Sequence, residues 1–215
     1  MTTAAFSVGV TGGVGSGKST IAAMMAEHGA GIVDADEISH RLTQANGAAI
    51  EALRAAFGAE AIAADGSLDR AHMRSRAFSD RSVRVELEAL LHPMIRAAMR
   101  DRATALMQEG SPYVAFVVPL LVETGNWRPS VSRVLVIDCS EATQIARVCA
   151  RPDISEATAR KIIQTQASRR ARLDAADDVL LNEAPLGQIA TKVERLHRAY
   201  LRHANSPLVA ARESL

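Results

Sequence analysis

Gly12-Gly13-Val14-Gly15-Ser16-Gly17-Lys18-Ser19 decides the fold. It meets every fixed position of the pattern G-x-x-x-x-G-K-[ST], between an apolar candidate strand, Phe6–Val10, and a helix expected from Gly17 to His28 with Gly29 as its C-terminal cap. A phosphate group requires these residue types. Glycines let the backbone turn back and bring successive N–H groups toward phosphate oxygens with no Cβ in the way. The helix behind adds unpaired amides and the positive end of its dipole. Lys18 supplies a mobile cation for the β- and γ-phosphates, and the Ser19 hydroxyl can ligate Mg²⁺. The alternative, a glycine-rich turn with no ligand, does not account for this placement between strand and helix. Nucleotide contacts are expected at Gly13, Val14, Gly15, Ser16, Gly17, Lys18, Ser19 and Thr20.

Working outward, short apolar runs alternate with longer helical patterns, which predicts an α/β fold with a parallel sheet. The candidate strands are Phe6–Val10, Gly31–Asp34, Tyr113–Val118, Arg133–Asp138 and Asp178–Leu181. The last helix is expected over about 186–203, with a loose tail after Asn205. Between Asp34 and Tyr113 lie 78 residues, far more than one crossover helix needs. Four helical segments there, Gly47–Phe57, Leu68–Phe78, Ser79–Leu91 and Pro93–Gln108, read as an inserted helical subdomain. The pair His92-Pro93 reads as one helix ending and the next beginning. From Arg147 to Arg172 seven basic residues follow a helical pattern: Arg147, Arg151, Arg160, Lys161, Arg169, Arg170 and Arg172. A solvated helix face would look the same as a functional basic segment.

Composition narrows the class. A chain of 215 residues can bury most of its apolar surface without metals or disulfides, and 48% hydrophobic with 23% charged residues is ordinary for a soluble globular protein. Aromatics make up only 3%, too few for a platform that stacks single-stranded nucleic acid. The net charge of +1 provides no field for a large polyanion, so no nucleic-acid partner is expected. Cys139 and Cys149 stand in no metal or redox spacing and read as reduced, buried thiols. Met1–Val10 lacks the basic flank and apolar stretch of a signal peptide, and the longest apolar run, Tyr113–Val122, is half a membrane span. A cytoplasmic protein with no membrane partner is expected; oligomeric state is not legible.

The cradle by itself does not name a reaction. No D-x-x-G and no N-K-x-D accompany it, against a switch GTPase, and the chain is short for a motor ATPase. A small kinase with an acceptor-binding insertion and an arginine-bearing lid suits both unusual features.

Several further stretches then agree. Thr11 to Thr20 reads T-G-G-V-G-S-G-K-S-T and is followed by Ile32-Val33-Asp34-Ala35-Asp36. Next come Asp65-Gly66-Ser67-Leu68-Asp69-Arg70, Leu91-His92-Pro93, Val118-Pro119-Leu120-Leu121-Val122-Glu123 and Ala176-Asp177-Asp178-Val179. From about Val8 to Tyr200 the chain resembles the dephospho-CoA kinase family. The resemblance implies a P-loop NTPase fold with a five-stranded parallel sheet, a helical acceptor-binding insertion and a lid. The whole of 1–215 would be one kinase unit: a core of about 1–36, 111–146 and 173–205, the insertion at about 37–110, and the lid at about 147–172. It also implies the reaction ATP plus dephospho-CoA giving ADP plus CoA, by phosphorylation of the ribose 3′-hydroxyl, with Mg²⁺ as cofactor.

The residue roles are expectations of the same kind. Asp34 and Asp36 end the second strand, and an extended strand would place both carboxylates on one side, near the strand ends where open α/β sheets bind ligands. By resemblance Asp36 is the base or hydroxyl partner and Asp34 supports it or the metal; a helix N-cap is the competing reading. Lys18 and Arg147 are the other expected catalytic residues. Arg147 and Arg151 would share one face of a continuous helix ended by Pro152, with Arg151 on ATP. Arg70 and Arg74, one turn apart, suit the acceptor's phosphates. Thr11, Pro119, Leu120 and Glu123 would border the acceptor.

Two departures from the family pattern stand out. Val117 occupies a position where many members carry aspartate, and Arg151-Pro152-Asp153 replaces a simpler R-D. Two rival readings stay open: a P-loop kinase with another nucleotide or alcohol as acceptor, and a nucleotide-binding module without turnover.

Overall fold

The structure, a computed structural model, describes residues 6–124, 130–152 and 154–206. The chain forms two compact units, one from Met1–Val33 with Ala103–Leu215, the other Asp34–Arg102.

The first unit is built on a five-stranded sheet: β1 (Ser7–Thr11), β2 (Gly31–Asp34), β3 (Val114–Val117), β4 (Arg133–Asp138) and β5 (Asp178–Leu181), in the order β2-β3-β1-β4-β5. β1 pairs in parallel with β3 and β4, and β4 with β5. β3 is buried along its whole length, and β1 and β4 at every residue but the first, which is why these runs are continuously apolar rather than alternating. Helix α1 (Lys18–Glu27) contributes Ile21, Ala22 and Met25 to the main core, and α10 (Leu186–Ala204) contributes Ile189, Val193 and Tyr200. The Asp177-Asp178 pair binds this end of the sheet. Asp177 accepts the Val134 N–H at 2.7 Å, while Asp178 takes Arg133 Nε at 2.8 Å and the Tyr200 hydroxyl at 3.0 Å.

Three short helices, α7 (Glu141–Cys149), α8 (Glu156–Thr165) and α9 (Arg169–Asp174), each begin on a serine. Ser140, Ser155 and Ser168 accept the N–H of the third following residue, each cap contributing about 1 kcal/mol. The helical pattern read over Arg147 to Arg172 is therefore broken at two places. α7 ends at Cys149, so Arg151 lies beyond it, exposed in a bend, and does not share a helix face with Arg147. Asp153 lies outside the described residues, as does the tail after Ser206.

The second unit holds α2 (Ala35–Thr43), α3 (Ile50–Phe57), α4 (Arg70–Ser79) and most of α5 (Arg81–Gln108) around Leu53, Phe57, Leu68 and Met73. Two expectations are corrected here. The strand stops at Asp34, whose Oδ1 accepts the N–H groups of Asp36 and Glu37 at 2.8 and 3.2 Å and caps α2. Asp34 is thus the N-cap and Asp36 a first-turn residue, because an aspartate followed by good helix formers turns the chain more favourably than one more strand residue would. The second correction concerns Pro93, which does not start a helix but lies inside α5. Its missing N–H removes the helical hydrogen bond to the Ala89 carbonyl, at a turn where both residues are exposed. Val83, Leu87, Leu90, Leu91 and Met94 pack on the unit's core at helical spacing and hold the helix together across the proline.

Both cysteines are free, and burial pushes the Cys139 thiol above its ordinary pKa, as suits an inert core residue. Among the described residues no helix is long and apolar enough to cross a membrane.

Candidate active site

The parallel sheet delivers the ends of four strands to one edge: Gly12 after β1, Pro119 after β3, Asp138 at the end of β4 and Asn182 after β5. This is the edge at which open α/β sheets bind ligands. The loop after β1 turns back only because of its glycines. A Cβ on Gly12 would lie 2.3 Å from the Ile137 carbonyl oxygen, and Gly17, the residue before α1, has φ of +92°. No side chain caps α1, which leaves its first-turn amides to be satisfied from outside the helix. Lys18 Nζ reaches back over the loop to the carbonyls of Gly12 and Gly13, at 2.7 and 3.1 Å. Ser19 and Thr20 are exposed in the first turn.

The carbonyl side of the loop is held by two side chains. Asn182, 6% exposed, donates from Nδ2 to the Ser16 carbonyl at 2.7 Å, and its own N–H is anchored on the Asp138 carbonyl at 2.8 Å. Arg147 donates from Nη1 to the carbonyls of Gly15 and Ser16 at 3.3 and 3.4 Å, and from Nη2 to the Asn182 carbonyl at 3.0 Å. In a trans peptide the carbonyl and the following N–H point in opposite directions. Holding the Ser16 carbonyl on this side therefore turns the Gly17 N–H to the other, where a phosphate can take it. Arg147, expected as a cation brought in by a closing segment, is in this structure part of the loop's support.

Other expected residues fall around the same loop. Thr11 Oγ1 donates to the Pro119 carbonyl at 3.3 Å, and Leu120 is 45% exposed. Glu123, on the short helix α6 (Leu121–Thr124), accepts the Ala167 N–H at its Oε1 at 2.8 Å, fixing the link between α8 and α9. Arg169 grips the buried carboxylate of Asp138, Nε to Oδ1 at 2.9 Å. Val117 is buried in β3 beside Val10, so that strand end presents no carboxylate. Three neutral contacts escaped sequence reasoning. Asn182 supports the loop, the buried Gln144 lies where a Cβ on Gly13 would be, and Gln166 Oε1 accepts the Val14 N–H at 2.8 Å. Amide side chains carry no motif, but Asn182 directly follows a legible strand, and strand ends are where such a residue should be sought.

The remaining candidates belong to the second unit. Asp34 is occupied as a helix cap, and Asp36 is exposed in the first turn of α2. Arg70 opens α4 and donates from Nη2 to Thr43 Oγ1 at 2.7 Å, with Arg74 exposed one turn further on. The motif from Asp65 to Arg70 explains this placement. Asp65 closes a turn by accepting the N–H and hydroxyl of Ser67 at 2.9 and 2.7 Å, Leu68 is buried, and Asp69 caps α4 through the His72 N–H at 2.8 Å. A cavity of about 340 Å³ opens beside it, lined by residues including His40, Thr43, Asp65, Ser67 and Arg70. His92 lies within α5, away from any helix end.

The chain is similar to other proteins along most of its length. A family model described as dephospho-CoA kinase matches residues 6–188. Proteins named dephospho-CoA kinase from Burkholderia pseudomallei and Dechloromonas aromatica are 53% and 49% identical to the chain, over 91% and 92% of it and 96% and 94% of their own lengths. Among solved structures, TT1252 from Thermus thermophilus superposes with a TM-score of 0.78 at 29% identity, covering 94% of this chain and 99% of that one. The dephospho-CoA kinase from Campylobacter jejuni shares the fold, with a TM-score of 0.67 at 22% identity over 92% of this chain and 98% of its own. A complete phosphate cradle on a β2-β3-β1-β4-β5 sheet, with matches along almost the whole sequence, leads to one conclusion: the chain is a kinase that belongs to the dephospho-CoA kinase family.

Proposed function

We propose that the chain transfers the γ-phosphoryl group of ATP to the ribose 3′-hydroxyl of dephospho-CoA, giving ADP and CoA, the last step of coenzyme A synthesis. The observation that carries this reading is the cradle: a loop backed by Asn182 and Arg147 so that its amides face a ligand, with Lys18 folded across it. Phosphoryl transfer asks little covalent chemistry of a protein; it needs alignment and charge neutralisation, which such a loop supplies.

The roles divide between the two units. Gly13 to Thr20 hold the phosphates of ATP through backbone N–H groups and Lys18 through its ammonium. Among the described residues no cluster of three or more His, Cys, Asp or Glu could hold a resident metal. The donor set instead suits Mg²⁺ arriving with the nucleotide, held by the Ser19 hydroxyl and phosphate oxygens. When bound, that ion neutralises charge building on the β- and γ-phosphate oxygens. Asp36, on the first turn of α2, accepts the proton of the attacking hydroxyl. Arg70 and Arg74 receive the acceptor's phosphates, with the residues 34–102 as the acceptor-binding unit. Arg151, exposed beyond α7, remains a candidate for ATP once the segment around it closes. The free thiols suit a cytoplasmic setting.

Incubation with ATP, Mg²⁺ and a panel of nucleoside and alcohol acceptors, followed by product mass, tests the reading. Phosphorylated dephospho-CoA should accumulate. A different product would assign another acceptor, and binding without turnover would leave a nucleotide-binding module. Asp36→Asn keeps the shape and removes the basicity. It should lower kcat by roughly 10²- to 10⁴-fold with little change in ATP affinity. Loss of Mg·ATP affinity at unchanged kcat would reassign Asp36 to the metal.

A further inference from the structure

Beyond the caps of α8 and α9, the link between them, Gln166 to Ser168, is held at three points. Ala167 donates its N–H to Glu123 Oε1 at 2.8 Å, the Ala167 carbonyl accepts Arg172 Nη1, and Gln166 Oε1 accepts the Val14 N–H at 2.8 Å. Only the third reaches into the cradle. A backbone N–H is a single donor, so at Val14 the side-chain carbonyl of Gln166 and a phosphate oxygen exclude each other. Val14 also stands early in the loop, four residues before α1. With the inner phosphates of a nucleotide on the amides at the helix end, a terminal phosphate is the one that extends toward it.

We propose that Gln166 competes with a γ-phosphate oxygen for the Val14 N–H: its Oε1 accepts that N–H, and ATP, but not ADP, displaces it. The assignment rests on the kinase reading above. A hydrogen bond to a phosphate oxygen is roughly twice as strong as one between neutral groups, so the nucleotide wins the exchange. Displacement removes one of the three holds on the link, so arrival of the triphosphate is communicated to α8 and α9, while Glu123 and Arg172 keep the link from departing. Gln166 is thus a positioning residue that sets how strongly the cradle prefers a triphosphate to a diphosphate.

The test is calorimetric titration of the full chain with Mg²⁺ and either ADP or a non-hydrolysable ATP analogue carrying an imido β–γ bridge. Gln166→Ala removes the competitor and should tighten binding of the analogue by about three- to tenfold, with ADP unchanged to within about twofold. Gln166→Glu leaves an acceptor on Val14 and adds a negative charge, so the analogue should weaken by at least about tenfold, and ADP by less. Gln166→Ala binding both nucleotides like wild type, or binding the analogue more weakly, overturns the assignment. So does Gln166→Glu binding the analogue like wild type. Wild-type chain that binds neither nucleotide overturns the kinase reading instead.

Discussion

The two units hold their candidate residues by different means. In the sheet unit the groups proposed to bind phosphate are mostly main-chain amides, aimed by glycine conformations and by carbonyls that Asn182 and Arg147 hold from the far side. In the helical unit the candidates are side chains on exposed helix turns, Asp36 on α2 and Arg70 with Arg74 on α4, and what fixes them is the capping of those helices by Asp34 and Asp69. The contrast has a physical origin. Phosphate oxygens recur in every nucleotide and can be met by invariant backbone dipoles. An acceptor is recognised through side chains, which are costlier to order but can be changed one at a time. Damage to the cradle should therefore appear in turnover with little loss of fold, and damage to the helical unit should divide between acceptor affinity and stability.

The largest effect is expected at Lys18. Lys18→Ala removes the cation aimed at the transferring group without touching the core, and kcat should fall by at least about a hundredfold. Circular dichroism should be unchanged, and near-normal turnover in a folded variant would remove the basis of the cradle assignment. Next is Arg147→Lys. One ammonium cannot bridge the Gly15 and Ser16 carbonyls to that of Asn182 as the guanidinium fork does. A loss in kcat/KM of at least about tenfold should include weaker ATP binding. If kcat alone falls, Arg147 acts on the transferring group and not as the loop's support.

A smaller change is expected from Arg70→Ala, which should raise KM for the acceptor by about five- to tenfold and leave KM for ATP alone. An equal rise in both would show that the two units do not divide the substrates. Smallest is Asp69→Ala. The lost cap on α4 should cost about 1 kcal/mol in urea denaturation, with kcat retained at saturating substrates. A large fall in kcat would make Asp69 part of the chemistry rather than of the helix that carries Arg70.

Legibility followed how local the signal for each element is. β2, β4 and β5 have the boundaries read from sequence, because their apolar runs are short and bounded by Gly31, Asp34, Arg133, Asp138 and Asp178. α1 and α10 were legible from the cradle and from helical spacing. Reading failed where one residue type serves two geometries. Asp34 fits a strand end and a helix cap equally well, and a proline after a histidine looks like a boundary until the apolar face of α5 is seen to run through it. Arg147 and Arg151 share a helical spacing, but α7 stops at Cys149 between them.

Glycine placement, hydrophobic period and motif order are local properties of the chain, so the cradle motif, the parallel α/β class and the family were all legible in the amino-acid order. Which neutral groups serve the cradle depends instead on contacts across the folded chain. Asn182 lies 166 positions from Ser16 and Gln166 lies 152 from Val14, and a hydrogen bond between such distant residues exists only once strand order has brought their elements to the same edge of the sheet. The tertiary structure also moved Arg147 from the expected closing segment to the back of the loop, since a guanidinium takes whichever carbonyls the fold presents to it, and no spacing along the chain encodes that choice.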